Sequence, residues 1–438
     1  MCNLNDHALL EILNAFLEPL GDKFERLRPD VKWTPRVTAI ALLILVLENS
    51  TAGYEALLST VRMTRNDLLN ADSDPSTFCR ARRKLMPALL TRCWSAMRTC
   101  ITALYQDIHP AVGGYRLVAI DGVWINGPRA RTLFRQLRKP QRGRPPKNFA
   151  GQPQILAVCL VDVMTRTPIA WEYVVPGCGE RSAAQDLVKH LDDTTLLLAD
   201  RGFPSRVLLD ELLKTGTKMI VRMCSGASAF EEVRALDSCS THDSQVRFSV
   251  GKGKQSRAVM CRLVRGYPVA GTSPKSVKPE EWVLLTNLPR HAWHWRRVLS
   301  LYHERWGIEV FFRELKSIIG IDRFHAHDFD GIQAEMTMAM LAASLMSAAE
   351  LIALTVQNGR MPTWDDVTQK RCNRSVLAKV VLNIVKTNPL VYDVTEMIDN
   401  ELRISALRAR KRRPGRSYPR ICKSFYGKWK NIRKKHAA

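Results

Sequence analysis

The feature that most constrains the fold is a series of short apolar runs between Tyr115 and Met223, each bounded by turn residues. Tyr115 to Ile120 (YRLVAI) ends in Asp121-Gly122, and Thr194 to Ala199 (TTLLLA) ends in Asp200-Arg201-Gly202. Ile155 to Val163 and Ile169 to Val175 read as a hairpin around Met164 to Pro168, and Lys218 to Met223 as a further strand. Helices are expected at Leu187 to Leu191 and Pro204 to Lys214. Strands interleaved with helices predict a mixed α/β core.

The flanks differ. Residues 1 to 110 read as helical: Leu9, Leu10, Ile12, Leu13, Phe16, Leu17 and Leu20 recur at helical spacing, and Pro35 opens a second helix, VTAIALLILVLE. A third pattern starts at the capping sequence Asp74-Pro75-Ser76 and continues STFCRARRKLMPALL, a basic helix suited to a DNA groove or simply to a solvated bundle face. From Cys224 to Arg290 short strands and turns (VRFSV, SRAVMCRLV, EWVLLTNL) read as an all-β insertion. Beyond Gly320 the chain is helical again. The apolar runs Val37 to Leu47 and Thr337 to Val356 are expected to be buried helices, since the first is too short to span a membrane and the second holds Glu350.

Net charge is +24 over 438 residues, and it is concentrated in two places. Glu401 to Ala438 carries fourteen Lys/Arg against one acid, and Arg129 to Lys147 carries eight with none. Such segments seek a polyanion. The eleven cysteines form no CxxC pair or zinc-spaced cluster, which fits reduced thiols in a cytosol, and the N-terminus lacks the pattern of a signal peptide.

The chemistry is expected on LYHERWGIEVFFRELKSIIG, residues 301 to 320. At roughly 100° per residue, Tyr302, Arg305, Glu309 and Lys316 fall in one stripe about 60° wide, beside an apolar arc of Ile308, Phe311, Phe312, Leu315, Ile318 and Ile319. Asp121 and Asp200, each ending a strand, would converge with Glu309 if their strands are neighbours. Either aspartate alone reads equally as a turn former. Together, three carboxylates are what a pair of divalent metals needs.

AIDG around Asp121, LADRGF around Asp200 and Y-x2-R-x3-E-x6-K from Tyr302 to Lys316 resemble the DDE transposases of bacterial insertion sequences, in particular the "IS four" type. The resemblance implies an α/β fold with an RNase H-like catalytic core interrupted by the β insertion. Its implied division is a helical DNA-binding domain (1–110), the core (111–223 and 291–325), the insertion (224–290) and a helical C-terminal region with a basic tail (326–438). It further implies Asp121, Asp200 and Glu309 as catalytic ligands of two Mg²⁺ ions, replaceable by Mn²⁺, with Tyr302, Arg305, Lys316, Arg313 and Arg201 on DNA. Trp282 would stack on an extruded base, although its strand WVLL reads equally as part of the insertion's own core. Val123 departs from the small hydroxyl residue common after Asp-Gly. The implied activity is cleavage at terminal inverted repeats and transfer to target DNA through a hairpin, by a homodimer in the bacterial cytoplasm. A nuclease on the same scaffold and a domesticated, inactive DNA-binding protein are the alternatives.

Overall fold

The computed structural model describes residues 7–21, 33–49, 54–65, 74–105, 111–137, 153–174, 179–223, 231–235, 242–267 and 281–358, most of 360–387, and 400–405 and 410–411. Most of the cationic loop before Gln152 and the basic tail beyond Lys411 lie outside the described residues.

The fold is mixed α/β. Nine strands form one sheet: β1 (Arg116–Asn126), β2 (Gln154–Asp162), β3 (Thr167–Tyr173), β4 (Thr195–Ala199), β5 (Lys218–Arg222), β6 (Glu231–Ala235), β7 (Asp243–Val250), β8 (Arg257–Gly266) and β9 (Trp282–Thr286). Their order is β3-β2-β1-β4-β5-β9-β8-β7-β6. β1, β4 and β5 are parallel neighbours, and every other adjacent pair is antiparallel. The strands of the 224–290 segment therefore extend the sheet beyond β5.

Alternation along β1 sorts its side chains between two cores. Leu117, Ala119 and Val123 share one core with the flanking helices, and Val118 and Ile120 share the other with α7 (Glu180–Leu187) and α8 (Arg206–Lys214). Burial on both faces explains why β2 and β4 read as unbroken apolar runs.

Several boundaries differ from the sequence reading. β1 does not stop at Asp121 but continues to Asn126, because its second half stays paired with β2 through Asn126↔Gln154 after the β4 pairing ends at Ile120↔Ala199. The basic pattern starting at Asp74 is two helices, α4 (Pro75–Arg82) and α5 (Pro87–Tyr105): Pro87 has no amide hydrogen to continue α4 and instead opens α5. Asp74 caps α4 by accepting from the Ser76 and Thr77 amides at 2.6 and 3.1 Å. Arg82 does not face solvent, because it is buried and paired with Glu335 at 3.2 Å. Before the short turn at Leu187 lies α7, which has too few apolar residues to show a period.

The second long apolar run forms α11 (Phe329–Asn358), whose most apolar stretch is wholly buried inside the fold. α11 packs on α2 (Pro35–Glu48) and on the helix Arg374–Lys386. In its middle, Glu350 accepts from the Cys372 amide at 3.0 Å and lies 3.3 and 3.5 Å from Arg374 and Arg371. Burial alone would raise this carboxyl, but Arg371, Arg166 and Arg374 together with the Cys372 amide hold it below the ordinary glutamate range. Arg374 also reaches Glu314 at 3.2 Å, and Arg166 pairs with the same carboxylate from the β2–β3 turn. Replacing Glu350 with Ala leaves buried guanidinium charge uncompensated and should cost about 3 to 5 kcal/mol. A urea midpoint within error of wild type would contradict this.

Candidate active site

Beyond the Ile120↔Ala199 pair the β4-facing edge of β1 is left open. Asp121 stands at the start of that opening and Asp200 follows the last residue of β4. Both carboxylates are turned partly inward by the amides next to them, Gly122 N donating to Asp121 Oδ1 at 2.9 Å and Arg201 N to Asp200 Oδ1 at 2.8 Å.

The third wall is helical, and it is not the single helix that the spacing predicts. α9 (Trp295–His303) and α10 (Trp306–Glu314) are joined by a tight turn in which Arg305 N bonds to Tyr302 O at 3.1 Å and Gly307 N to Glu304 O at 2.8 Å. Gly307 explains the close approach: a Cβ there would come within 2.9 Å of Val163 Cβ, so only glycine lets the turn lie against the β2–β3 connection. After α10 a π-helical turn, Leu315–Ile319, closes on Gly320 at φ 79°.

Tightening the turn aims Arg305 inward. Its guanidinium is buried at 8% exposure and lies 3.1 Å from Asp121 Oδ2, 3.1 Å from Glu309 Oε1 and 3.9 Å from Asp200 Oδ2. Burial alone would lower its pKa, but the Tyr302 hydroxyl and the three carboxylates raise it above the ordinary arginine value. Asp121 is pushed up to about 6, first by burial, with Arg305 opposing and Glu309 and Asp200 adding to the rise. Tyr302 is 3% exposed and donates to Asp200 Oδ1 at 3.2 Å. Burial is the main reason that its hydroxyl pKa is also raised.

The other expected residues are placed differently. Lys316, turned by the π segment, donates to the Trp124 carbonyl at 2.5 Å and lies 3.8 Å from Asp322. Trp282 is 8% exposed and meets the Tyr302 ring edge-on at 4.9 Å, so in this conformation it supports Tyr302 and offers no open face to a base. Arg201, directly after Asp200, and Arg313, near the end of α10, are exposed. Val123 is buried in the helix-facing core. Arg222, at the end of β5 and 3.8 Å from Asp200, was not singled out in the sequence. Its position at the end of a strand beside β4 was the available signal.

The donor set is all carboxylate oxygen, the chemistry of hard divalent cations. Two guanidiniums, Arg305 and Arg222, stand within ion-pair distance of these carboxylates. Among the described residues no three acidic, His or Cys side chains stand close enough to share one ion as they are arranged. Arg305 stands between the carboxylates. The residues therefore fit a metal by chemistry, with Arg305 as the group that would have to yield.

The family model for the transposase DDE domain matches residues 112–345, more than half of the chain and all three carboxylates. The chain belongs to that family. A curated relative, transposase InsG for insertion sequence element IS4 of Escherichia coli (strain K12), is 26% identical over 255 residues, covering 55% of this chain and 53% of that protein. The chain thus aligns with about half of that relative's length, a likeness to a transposase of the IS4 type. A piggyBac transposase synaptic complex with hairpin DNA aligns at 11% identity and a TM-score of 0.40, over 91% of this chain and 82% of that one, too loose a likeness to bear on the fold.

Two outcomes follow for this DDE site. Asp121 holds its proton in the folded state at pH values where the unfolded chain has released it, so its contribution to stability is complete below the ordinary 3.8 and is lost as pH rises through about 6. In chelator, the melting temperature of wild type relative to Asp121→Asn should therefore fall across that window, and a difference independent of pH would contradict it. Trp282→Ala removes a buried indole and should cost about 3 to 5 kcal/mol by urea denaturation. A near-neutral effect would show that the Tyr302 contact bears no load.

Proposed function

We propose that this protein cuts DNA at the ends of an insertion sequence and joins those ends to a target, with Asp121, Asp200 and Glu309 as the cation-holding catalytic set. The observation that carries this reading is that carboxylates from β1, the turn after β4 and α10 converge on one buried guanidinium. The order β3-β2-β1-β4-β5, antiparallel on one side of β1 and parallel on the other, supports an RNase H-like core over 111–223 and 291–325. On this reading the strands from 224–290 are an insertion extending its edge, 1–110 is a DNA-binding domain and 326–438 a helical region with a basic tail.

Mg²⁺ or Mn²⁺ bound there, as two ions, would supply activation of a water or 3′-hydroxyl and stabilisation of the departing oxygen. Asp121, Asp200 and Glu309 would hold them. Arg305, now on the carboxylates, is suited to turn onto a phosphate, which its planar fork binds in the same geometry. On this reading Lys316, Arg201 and Arg313 supply further phosphate contacts, while Trp282 reaches a flipped base only if it leaves its seat on Tyr302. Tyr302 is a poor nucleophile as placed: it is buried, its hydroxyl is held protonated, and it donates to Asp200. DNA is thus both substrate and partner. We read the active species as a homodimer on terminal inverted repeats in the bacterial cytoplasm, working through a hairpin.

Changing any one of the three carboxylates to Ala should abolish Mg²⁺-dependent nicking of a plasmid carrying the gene with its flanking DNA, while binding to the flanks persists. Tyr302→Phe should retain appreciable nicking. A protein–DNA adduct in wild type, together with cutting by Asp121→Ala, would overturn the reading. Nicks without joined products would assign a nuclease instead.

A further inference from the structure

The glycines that follow the two aspartates share a neighbour. A Cβ placed on Gly122 would lie 2.7 Å from Glu180 Oε1 and 3.2 Å from its Cδ, and one on Gly202 would lie 3.9 Å from Glu180 Oε2. Neither glycine has a left-handed backbone that would itself demand glycine. At Gly122 the missing methyl clears space for the Glu180 carboxylate, whereas at Gly202 a methyl would make only ordinary contact with it. The start of α7 is tied to the same place by Arg181, whose Nε donates to the Gly202 carbonyl at 2.9 Å.

Successive residues of β1 face opposite sides of the sheet. Asp121 shares its face with Arg305 and Glu309, and Gly122 shares the other with α7. Glu180 thus arrives from the far face, at the point where β1 has lost its β4 partner and the sheet no longer separates the two sides. Among the described residues its carboxylate takes no hydrogen bond and makes no ion pair. An acid at the first position of a helix has an ordinary use in complementing the helix dipole. That use does not account for the close approach of the carboxylate to Gly122.

Resting on the reading of Asp121, Asp200 and Glu309 as cation ligands, we propose that Glu180 is a fourth oxygen donor of the same centre, reaching the divalent cation through the gap that Gly122 leaves open. Gly122 is then part of the site, as the residue that makes room for that carboxylate.

Mn²⁺ binding to the full chain without DNA, followed by the electron paramagnetic resonance of the free ion, tests this apart from turnover. Glu180→Gln should weaken binding roughly tenfold, in the range found when groups supporting a metal site are removed. Gly122→Ala should weaken it similarly with no charge removed, because the added methyl pushes a flexible carboxylate aside. The double variant should be no weaker than either single, the signature of one shared contact. Asp186→Asn, also on α7 but paired with Lys189, should bind as wild type, so a general loss of α7 charge is separated from the specific one.

Glu180→Gln binding as wild type while Asp121→Ala loses the ion would overturn the proposal and leave the catalytic reading standing. Failure of wild type to bind Mn²⁺, or equal binding by Asp121→Ala, would overturn both. A weakened Glu180→Gln beside an unchanged Gly122→Ala would assign the loss to overall charge and reject the placement. A lowered melting temperature with unchanged affinity would assign Glu180 to the helix dipole.

Discussion

One buried guanidinium holds the candidate active site of this protein together. Carboxylates within a few ångströms of one another repel, and each would tend to take up a proton or turn away. Arg305 prevents this by standing within ion-pair distance of all three, from the turn between two helices. The planar fork matters, since it presents donors in several directions at once. A lysine ammonium on a flexible stem would be a point charge serving fewer partners. Burial, with Glu309 and Asp200 adding to it, still keeps the Asp121 pKa raised despite the contact.

Where Arg305 stands depends on a second set of charges behind it. Glu314, at the end of α10, is gripped by Arg166 from the β2–β3 turn and by Arg374 from the C-terminal helix, and Arg374 continues to Glu350 inside α11. The Arg166 carbonyl also accepts from Ser347 of α11 at 3.1 Å. Buried ion pairs are weak evidence of net stability, because desolvation offsets their attraction. They do make misplacement costly. Here they fix the helix that carries Glu309 to the sheet on one side and to the C-terminal helices on the other, so residues far along the chain bear on the position of Glu309.

Much of this was legible in the residues. Apolar runs closed by Asp-Gly and Asp-Arg-Gly located β1 and β4, and the spacing of Tyr302, Arg305 and Glu309 brought them to one place. Legibility failed where the deciding contact was remote. Periodicity assumes uniform helical rotation, so it could not show the tight turn at Arg305, which depends on Gly307 meeting Val163. It placed Lys316 with the carboxylates, although the π turn directs it to the Trp124 carbonyl. β1 looked finished at Asp121 because its apolar run stops there, whereas pairing with β2 carries it five residues further. The sheet-wide continuity of β5 through β6 was hidden as well, since strand partners are chosen by register across loops.

The π turn has a consequence for how such a chain can change over time. A π turn holds one residue more than the α turn it replaces, so Leu315–Ile319 is a place where a residue has been accommodated without lengthening the helix by a full step. Loss of a codon there would restore ordinary winding and leave the segments on either side close to their present phase. The segment before it would stay anchored through Glu314. Glu309 is thereby insulated from length variation at this point: the acid is held by the buried arginines, and the turn after it can take up or give back a single residue.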